Sequence, residues 1–160
     1  MKQSTIAKNF TIAAGIALGL CIAPTAKAEV QGCSNATLKG TFSYKMTGAL
    51  LIPGLEGPFA EVGVQTFDGN GGTTATATLS QNGNIYQVTI TGKYTVNPNC
   101  TGTFTLQVAP FGVTNLLFFV LDDGGNGFQS LEINPAPGGK GSVVTGSGRR
   151  QFPVGDLRNN

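Results

Sequence analysis

Two glutamates are the side chains in this sequence best suited to acid–base chemistry. Glu61 and Glu132 each interrupt a segment of otherwise uncharged residues. Two carboxyl groups that face one cavity can act as acid and base, or can anchor a ligand. Charged side chains are seldom buried without a partner, so we expect both glutamates to be solvated charges on a strand face or edge.

Tyrosine and arginine side chains are the remaining candidates for binding a ligand through polar groups. Three tyrosines could give an apolar interior polar groups, although buried tyrosine is also ordinary core material. Arg150 could hold an anionic ligand, but its neighbour Arg149 must point to the opposite face of a strand, and a surface role is favoured for the pair. No catalytic residue is assigned. The candidate ligand-binding residues are Tyr44, Glu61, Tyr86, Tyr94, Glu132 and Arg150.

Composition excludes several kinds of active site. The 160 residues include no His, which removes Ser-His-Asp and Cys-His catalysis and zinc sites that need imidazole. Residues 68–72 and 122–126 resemble fragments of calcium-binding loops, but they lack the full spacing of oxygen ligands and the terminal glutamate. We therefore expect turn structure there, with no metal and no cofactor.

The N-terminus has the pattern of a secretory signal peptide. Lys2 and Lys8 form a basic region, residues 12–22 are free of charge, and small residues flank Lys27 in an Ala-Lys-Ala site. The apolar run is shorter than the ~20 residues of a membrane-spanning helix. We predict a signal-peptide helix in residues 1–28 and a single domain in residues 29–160, secreted or periplasmic, with no membrane span after cleavage.

The charge of the exported domain indicates which partners to exclude. Removing Lys2, Lys8 and Lys27 from the 10 basic residues leaves 7, against 8 acidic ones. The signal peptide therefore carries the positive charge, and the exported domain has a net charge of 7 − 8 = −1. Without a basic patch, nucleic acid is not an expected partner.

Two cysteines, Cys33 and Cys100, remain after cleavage. In an oxidising compartment they have one intramolecular pairing, so a structural disulfide is predicted. The alternative, a redox-active pair, is disfavoured because the chain has no Cys-x-x-Cys motif.

Alternating polarity predicts strands throughout the exported domain. Residues 73–80, for example, place alanine and leucine on one side and threonine and serine on the other. Asn-Gly pairs at 70–71, 82–83 and 126–127 are typical of tight hairpins. About eight strands with short connections favour an all-β, antiparallel up-and-down barrel, with a β-sandwich as the alternative. An outer-membrane barrel is disfavoured because aromatic girdles are not evident.

One predicted strand, residues 116–121, is apolar on both faces. Such a strand needs cover on its outer side as well as inside the barrel. A terminal segment or long loop could provide that cover. A homo-oligomer interface is the second interpretation, because exposed apolar patches often have a partner.

Three segments resemble the corresponding parts of a group of small secreted bacterial proteins, mostly uncharacterised. They are residues 33–42 (CSNATLKGTF), 94–103 (YTVNPNCTGT) and 143–146 (VVTG). The domain of that group is similar to the allene oxide cyclase-like, lipocalin-related β-barrel. The resemblance implies an eight-stranded barrel with a disulfide between the Cys33 and Cys100 segments. It implies no catalytic residues, since none of the cyclase's can be matched here.

Three classes of function fit this sequence. The favoured one is a binding module for a small, apolar ligand, held in the mouth or interior of the barrel. The second is a cofactor-free cyclase or isomerase that uses Glu or Tyr groups in the cavity. The third is a structural or interaction protein of the cell envelope, acting through its surface and residues 116–121.

Overall fold

The computed structural model describes residues 32–134 and 141–152. The predicted signal peptide lies outside these residues. Short 3₁₀ helices occupy Asn35–Leu38 and Asp123–Gly125, and no described helix is long and apolar enough to cross a membrane. The strands are β1 (Gly40–Leu50), β2 (Gly57–Phe67), β3 (Gly72–Gln81), β4 (Asn84–Val96), β5 (Thr101–Ala109), β6 (Val113–Asp122), β7 (Gly127–Glu132) and β8 (Val143–Arg150).

These strands form a closed barrel in which every pairing is antiparallel. Each strand pairs with the next along the chain, and β1 pairs with β8 to close the cylinder. Closure gives every strand two hydrogen-bonded neighbours, which removes exposed sheet edges. The up-and-down barrel is thus confirmed, and the sandwich alternative is wrong.

Strand β2 shows that alternation was correct while the expected exposure of one glutamate was not. Glu61, Gln65 and Phe67 face the interior and are buried, whereas Val62 and Val64 are exposed on the outside. Large aromatic rings fill one half of the barrel interior, so the ring of Phe67 determines which side of β2 faces inward. Glu61 lies on that side because strand side chains repeat every two residues.

The barrel is plugged at the end where β1 begins. The first 3₁₀ helix places Leu38 there, fully buried. Above this plug a cluster of rings fills the closed half, with edge-to-face and stacked contacts at centroid separations of 4.2–6.2 Å. Its members are Phe42, Phe67, Tyr94, Phe104, Phe119 and Phe128.

The disulfide ties this plug to the barrel wall. Cys33, before the 3₁₀ helix, is bonded to Cys100 in the β4–β5 connection, which confirms the predicted pairing. Asn35 adds a polar link, since its Oδ1 accepts a hydrogen bond from the backbone N–H of Val96 at 2.8 Å. The plug is therefore held both covalently and by hydrogen bonds.

Some of the rings inside the barrel face a glycine on the neighbouring strand. Phe128 lies opposite Gly148, and Tyr44 lies opposite Gly63. A Cβ atom at position 148 would lie 2.3 Å from the Phe128 ring, and one at 63 would lie 2.7 Å from Tyr44 Cε1. These glycines make room for the rings, as occurs where aromatic side chains cover strand glycines.

The three Asn-Gly pairs do not all form the same turn. Asn82 and Gly83 both have positive φ, as the two-residue β3–β4 hairpin requires. At 70–71 only the glycine does, because Asp68 organises a longer loop by accepting hydrogen bonds from the N–H groups of Asn70 and Gly72. The Asn-Gly pair at 126–127 instead follows the second 3₁₀ helix. Both loops still join paired antiparallel strands, so the hairpins are present, but the tight two-residue turn was wrong at these two sites.

Strand β6 presents apolar residues on both faces, as predicted. Leu117, Phe119 and Leu121 are buried inside, while Phe118 and Val120 are 39% and 44% exposed outside. None of the described segments covers those two side chains. A homo-oligomer through residues 116–121 stays a prediction, which light scattering on the purified protein would test.

Candidate functional site

The half of the barrel away from the plug contains a polar cavity of about 30 Å³. This is room for about two water molecules. Buried polar side chains and apolar side chains both line it. The polar ones are Tyr44, Glu61, Gln65, Asn115, Ser130 and Glu132, and Lys45 borders the cavity from the exposed side of β1. The apolar ones include Met46, Phe59, Ile90, Leu106 and Val108.

Tyr44 and Glu61 form a buried hydrogen-bonded pair in this cavity. The Tyr44 hydroxyl donates to Glu61 Oε1 at 2.5 Å across the β1–β2 pairing. Gly63, directly opposite Tyr44, leaves the space that its ring occupies. The sequence therefore places the phenol and the carboxyl group together through two neighbouring strands.

Glu132 enters the cavity from β7. Its side chain is 9% exposed, and its Oε1 accepts a hydrogen bond from Asn134 Nδ2 at 3.1 Å. Asn134 is itself held in place because its Oδ1 accepts the backbone N–H of Leu116. Ser142 also lies beside Glu132, yet its Oγ is buried with no hydrogen bond of normal geometry among the described residues.

Burial changes the acidity of all three groups. Desolvation raises the pKa of Glu61, and the hydrogen bond from Tyr44 offsets part of this rise. Desolvation also raises the pKa of Glu132, with Ser142 and Asn134 offsetting part of it. The pKa of Tyr44 is raised far above its ordinary value by burial and then by the nearby charge of Glu61. Tyr44 therefore remains a hydrogen-bond donor at any physiological pH.

The expectation that both glutamates are solvated was wrong. Glu61 and Glu132 are 7% and 9% exposed, and both face the interior. Alternation on β7 places Glu132 on the same side as buried Phe128 and Ser130. Sharing a side with phenylalanine was thus the informative signal at both positions, outweighing the general tendency of carboxylates to be exposed.

The other candidates lie elsewhere in the barrel. Tyr86 points along the interior side of β4 but is 38% exposed at the unplugged rim, packed edge-to-face against Phe111. Tyr94 lies at the plugged end, where its hydroxyl donates to the backbone oxygen of Asn35 and accepts from the N–H of Gly69. The structure thus brings together Tyr44, Glu61 and Glu132, and not Tyr86, Tyr94 or Arg150.

Arg150 is buried at the plugged end and binds protein groups there. Its guanidinium lies 4.6 Å from the centre of the Phe42 ring. Burial lowers its pKa, and no carboxylate lies against it among the described residues. Instead its N–H groups donate to three backbone oxygens and one amide oxygen, namely Lys39 O, Thr37 O, Gly125 O and Asn126 Oδ1.

The neutral polar residues around the carboxyl groups were not among the predicted ligand-binding residues. Gln65 donates through Nε2 to Thr73 Oγ1 at 3.1 Å, and both side chains are buried. Gln65 shares its strand face with Glu61, and Ser130 shares its face with Glu132, so the same alternation could have identified them. Asn134 lies after the end of β7, where no periodic pattern applies.

This arrangement can bind a small polar group or exchange a proton with one. Two carboxyl groups and a phenol approach the same cavity from β1, β2 and β7. The part of the chain that the structure describes contains no group of three His, Cys, Asp or Glu side chains suited to a metal ion. The carboxyl and phenol groups themselves offer hydrogen bonding, negative charge and proton transfer.

Comparisons with known proteins support the fold. No protein-family model matches this sequence, and no curated protein does either. Among solved structures, the chain is similar to EF1p2_mFAP2b bound to DFHBI, with a TM-score of 0.53 and 16% identity over 72% of this chain and 94% of that one. A redesigned β-barrel, mFAP0, bound to DFHBI, has a TM-score of 0.47 and 18% identity over 71% and 99% of the two chains. At this level of identity the likeness concerns the barrel fold alone.

The raised pKa values predict that acid stabilises the barrel through Glu61 and Glu132. A carboxyl group that is more basic in the folded state contributes stability below its unfolded pKa, and loses it as the pH rises through its folded pKa. The Glu61→Gln/Glu132→Gln double variant should lack this loss. We expect its free energy of unfolding to exceed the wild-type value increasingly as the pH rises above the ordinary glutamate range, as measured by urea denaturation.

Glu56→Gln is the matched control, since Glu56 is exposed in the β1–β2 loop. It should follow the wild-type curve. If the double variant and the wild-type protein kept a constant difference across the whole pH range, the two carboxyl groups would not be responsible.

Proposed function

We propose that this protein is an extracytoplasmic binding protein whose barrel cavity takes a small molecule, or one small group of a larger molecule. The observation that carries the proposal is the pair of buried carboxyl groups, Glu61 and Glu132, around one interior cavity. The basic residue that borders this cavity among those described, Lys45, lies on the exposed side of β1. The disulfide supports the compartment, because such bonds persist in oxidising environments.

The buried ionisable groups are compensated differently in the two halves of the barrel, and this difference supports a functional role for the cavity. At the plugged end, the buried charge of Arg150 is matched by four acceptors. At the other end, two carboxyl groups are desolvated with only neutral donors beside them. Burying an ionisable group with incomplete compensation destabilises a fold, so such groups are concentrated at functional sites.

The size and lining of the cavity limit what enters it. Drug-sized ligands occupy pockets of about 300–1,000 Å³, whereas this cavity measures about 30 Å³. A wholly apolar ligand would also leave the two carboxyl groups dehydrated and without a partner of opposite charge. We infer that the group inside is small and polar, and that any apolar remainder of the ligand lies along Met46 and Phe59.

An acid–base enzyme is the second candidate function. The 2.5 Å hydrogen bond between Tyr44 and Glu61 favours it, because a phenol and a carboxyl group with raised pKa values can exchange protons with a bound molecule. Chemical conversion of a bound ligand would distinguish this candidate from simple binding.

Filling the cavity should abolish binding without unfolding the barrel. Ala75 lines the cavity, and Ala75→Val adds two methyl groups to it. The probes are n-butylamine, n-butanol and butyramide, tested one at a time by ¹H–¹⁵N NMR. We expect at least one of them to shift the amide signals of residues 61 and 130–132 in the wild-type protein, and to do so saturably. The same compound should cause at least tenfold weaker shifts in Ala75→Val.

Thr74→Val is the matched control, because Thr74 is the neighbouring residue on the outer face. It should bind as the wild-type protein does. Saturable shifts confined to the plugged end, or an absence of shifts with all three compounds, would overturn the proposal.

A further inference from the structure

We propose that the cavity selects a small organic cation, with a primary ammonium group held between Glu61 and Glu132. This inference rests on the proposed function and specifies the class of ligand. The evidence is the sign of the charges around the cavity, the direction of the hydrogen bonds and the mixed polar and apolar lining.

The buried ionisable side chains that line the cavity are acidic or phenolic. Strand β1 contributes Tyr44, β2 contributes Glu61 and β7 contributes Glu132, whereas the described parts of β3, β4, β5, β6 and β8 contribute no charged side chain to this half. Within residues 32–134 and 141–152, the basic side chains lie on the outer surface or at the plugged end, and they are Lys39, Lys45, Lys93, Arg149 and Arg150. Lys45 borders the cavity but lies on the exposed side of β1. An anion would therefore meet two carboxyl groups with nothing in the described interior to neutralise it.

The hydrogen bonds to the two carboxyl groups come from neutral donors. Tyr44 donates to Oε1 of Glu61, and Asn134 donates to Oε1 of Glu132. These bonds favour the ionised carboxylate, but they do not cancel its charge. Among the described residues, the second oxygen of Glu61 has no hydrogen-bond donor, and Ser142 lies beside Glu132 without a hydrogen bond of normal geometry. What the cavity lacks is a group with several N–H donors and a positive charge.

A primary ammonium group meets that requirement. It carries three donors, as the lysine side chain does, and it is compact. Its size is similar to that of a water molecule, which suits a cavity of about 30 Å³. Met46, Phe59, Leu106 and Val108 line the same cavity and offer apolar contact to a short alkyl chain attached to the nitrogen. The favoured ligand is thus an amine with an apolar body.

The test compares n-butylamine with n-butanol and n-butyrate, which share a chain length and differ in the terminal group. We expect n-butylamine to bind wild-type protein at least tenfold more tightly than n-butanol, and n-butyrate not to bind, as measured by NMR titration at pH 7.5. Glu61→Gln and Glu132→Gln should each weaken n-butylamine at least tenfold and leave n-butanol within about twofold. Because removing a buried charge does not require a new cavity, both variants should fold, which a dispersed NMR spectrum verifies.

The pH dependence gives a second readout. The amine stays protonated across the range used, since alkylammonium groups resemble lysine, with a pKa of about 10.4. Its affinity should rise with pH as the two carboxyl groups ionise, and Glu56→Gln should not change this rise. Binding of n-butanol or butyramide as tightly as n-butylamine would overturn the cation inference and leave the binding function intact. Failure of every compound at the cavity would overturn both.

Discussion

Replacing Arg150 by methionine is expected to lower the free energy of unfolding by about 3 kcal/mol or more, because each buried acceptor that loses its donor costs about 1–3 kcal/mol. Methionine fills a similar volume but has no N–H groups. The oxygens of Lys39, Thr37 and Gly125 would lose their donor at the plugged end. A buried acceptor left without a donor keeps its desolvation penalty. Urea denaturation at constant pH measures the change.

Arg149→Met is the matched control for Arg150. Arg149 is adjacent in sequence but lies on the outer face, where it pairs with Asp123 in an exposed salt bridge. Such pairs contribute about 0–1 kcal/mol, so this variant should be nearly as stable as the wild-type protein. Arg150→Lys should be intermediate, because an ammonium group cannot reproduce the planar set of donors. Equal stability of the two methionine variants would contradict the role assigned to Arg150.

Removing the disulfide is expected to destabilise the barrel by about 4 kcal/mol. The bond joins residues 67 apart, and a cross-link over a chain segment of this length restricts the unfolded state by about that amount on the chain-entropy model. It also secures the segment that positions Leu38 and Asn35 in the barrel end. The Cys33→Ser/Cys100→Ser variant should therefore unfold at a lower urea concentration than the wild-type protein.

Reductant supplies the control for this prediction. Adding it should lower the stability of the wild-type protein toward that of the double serine variant and leave the variant itself unchanged. Thiol titration confirms that reduction is complete. If fully reduced wild-type protein were as stable as the oxidised form, the disulfide would not stabilise the fold.

Local patterns in the sequence were sufficient to predict the strands and their sequential pairing. Alternation in residues 73–80 predicted β3 because a strand exposes every second side chain to water. The Asn82–Gly83 hairpin was predictable because both residues accept positive φ. The turns around Asn70 and Asn126 were not, since contacts with Asp68 and with the second 3₁₀ helix determine their backbone conformation.

The candidate site was predicted in part, since period-two alternation separates two faces without saying which one is inside. On β2 one face carries Val62 and Val64 and the other carries Glu61 and Phe67, and only the barrel interior decides between them. The role of Arg150 depended on contacts with residues more than 100 positions away, which no local pattern reveals.

The pairing of Gly148 with Phe128 has an evolutionary consequence. Every atom that would crowd a Cβ at position 148 within 3.0 Å belongs to the Phe128 ring. In a close-packed interior the two residues share one volume, so the effects of changing them are not additive. A larger residue at position 148 is tolerated only when Phe128 has been replaced by a smaller residue. Related barrels should therefore vary these two positions together, keeping the sum of their volumes nearly constant.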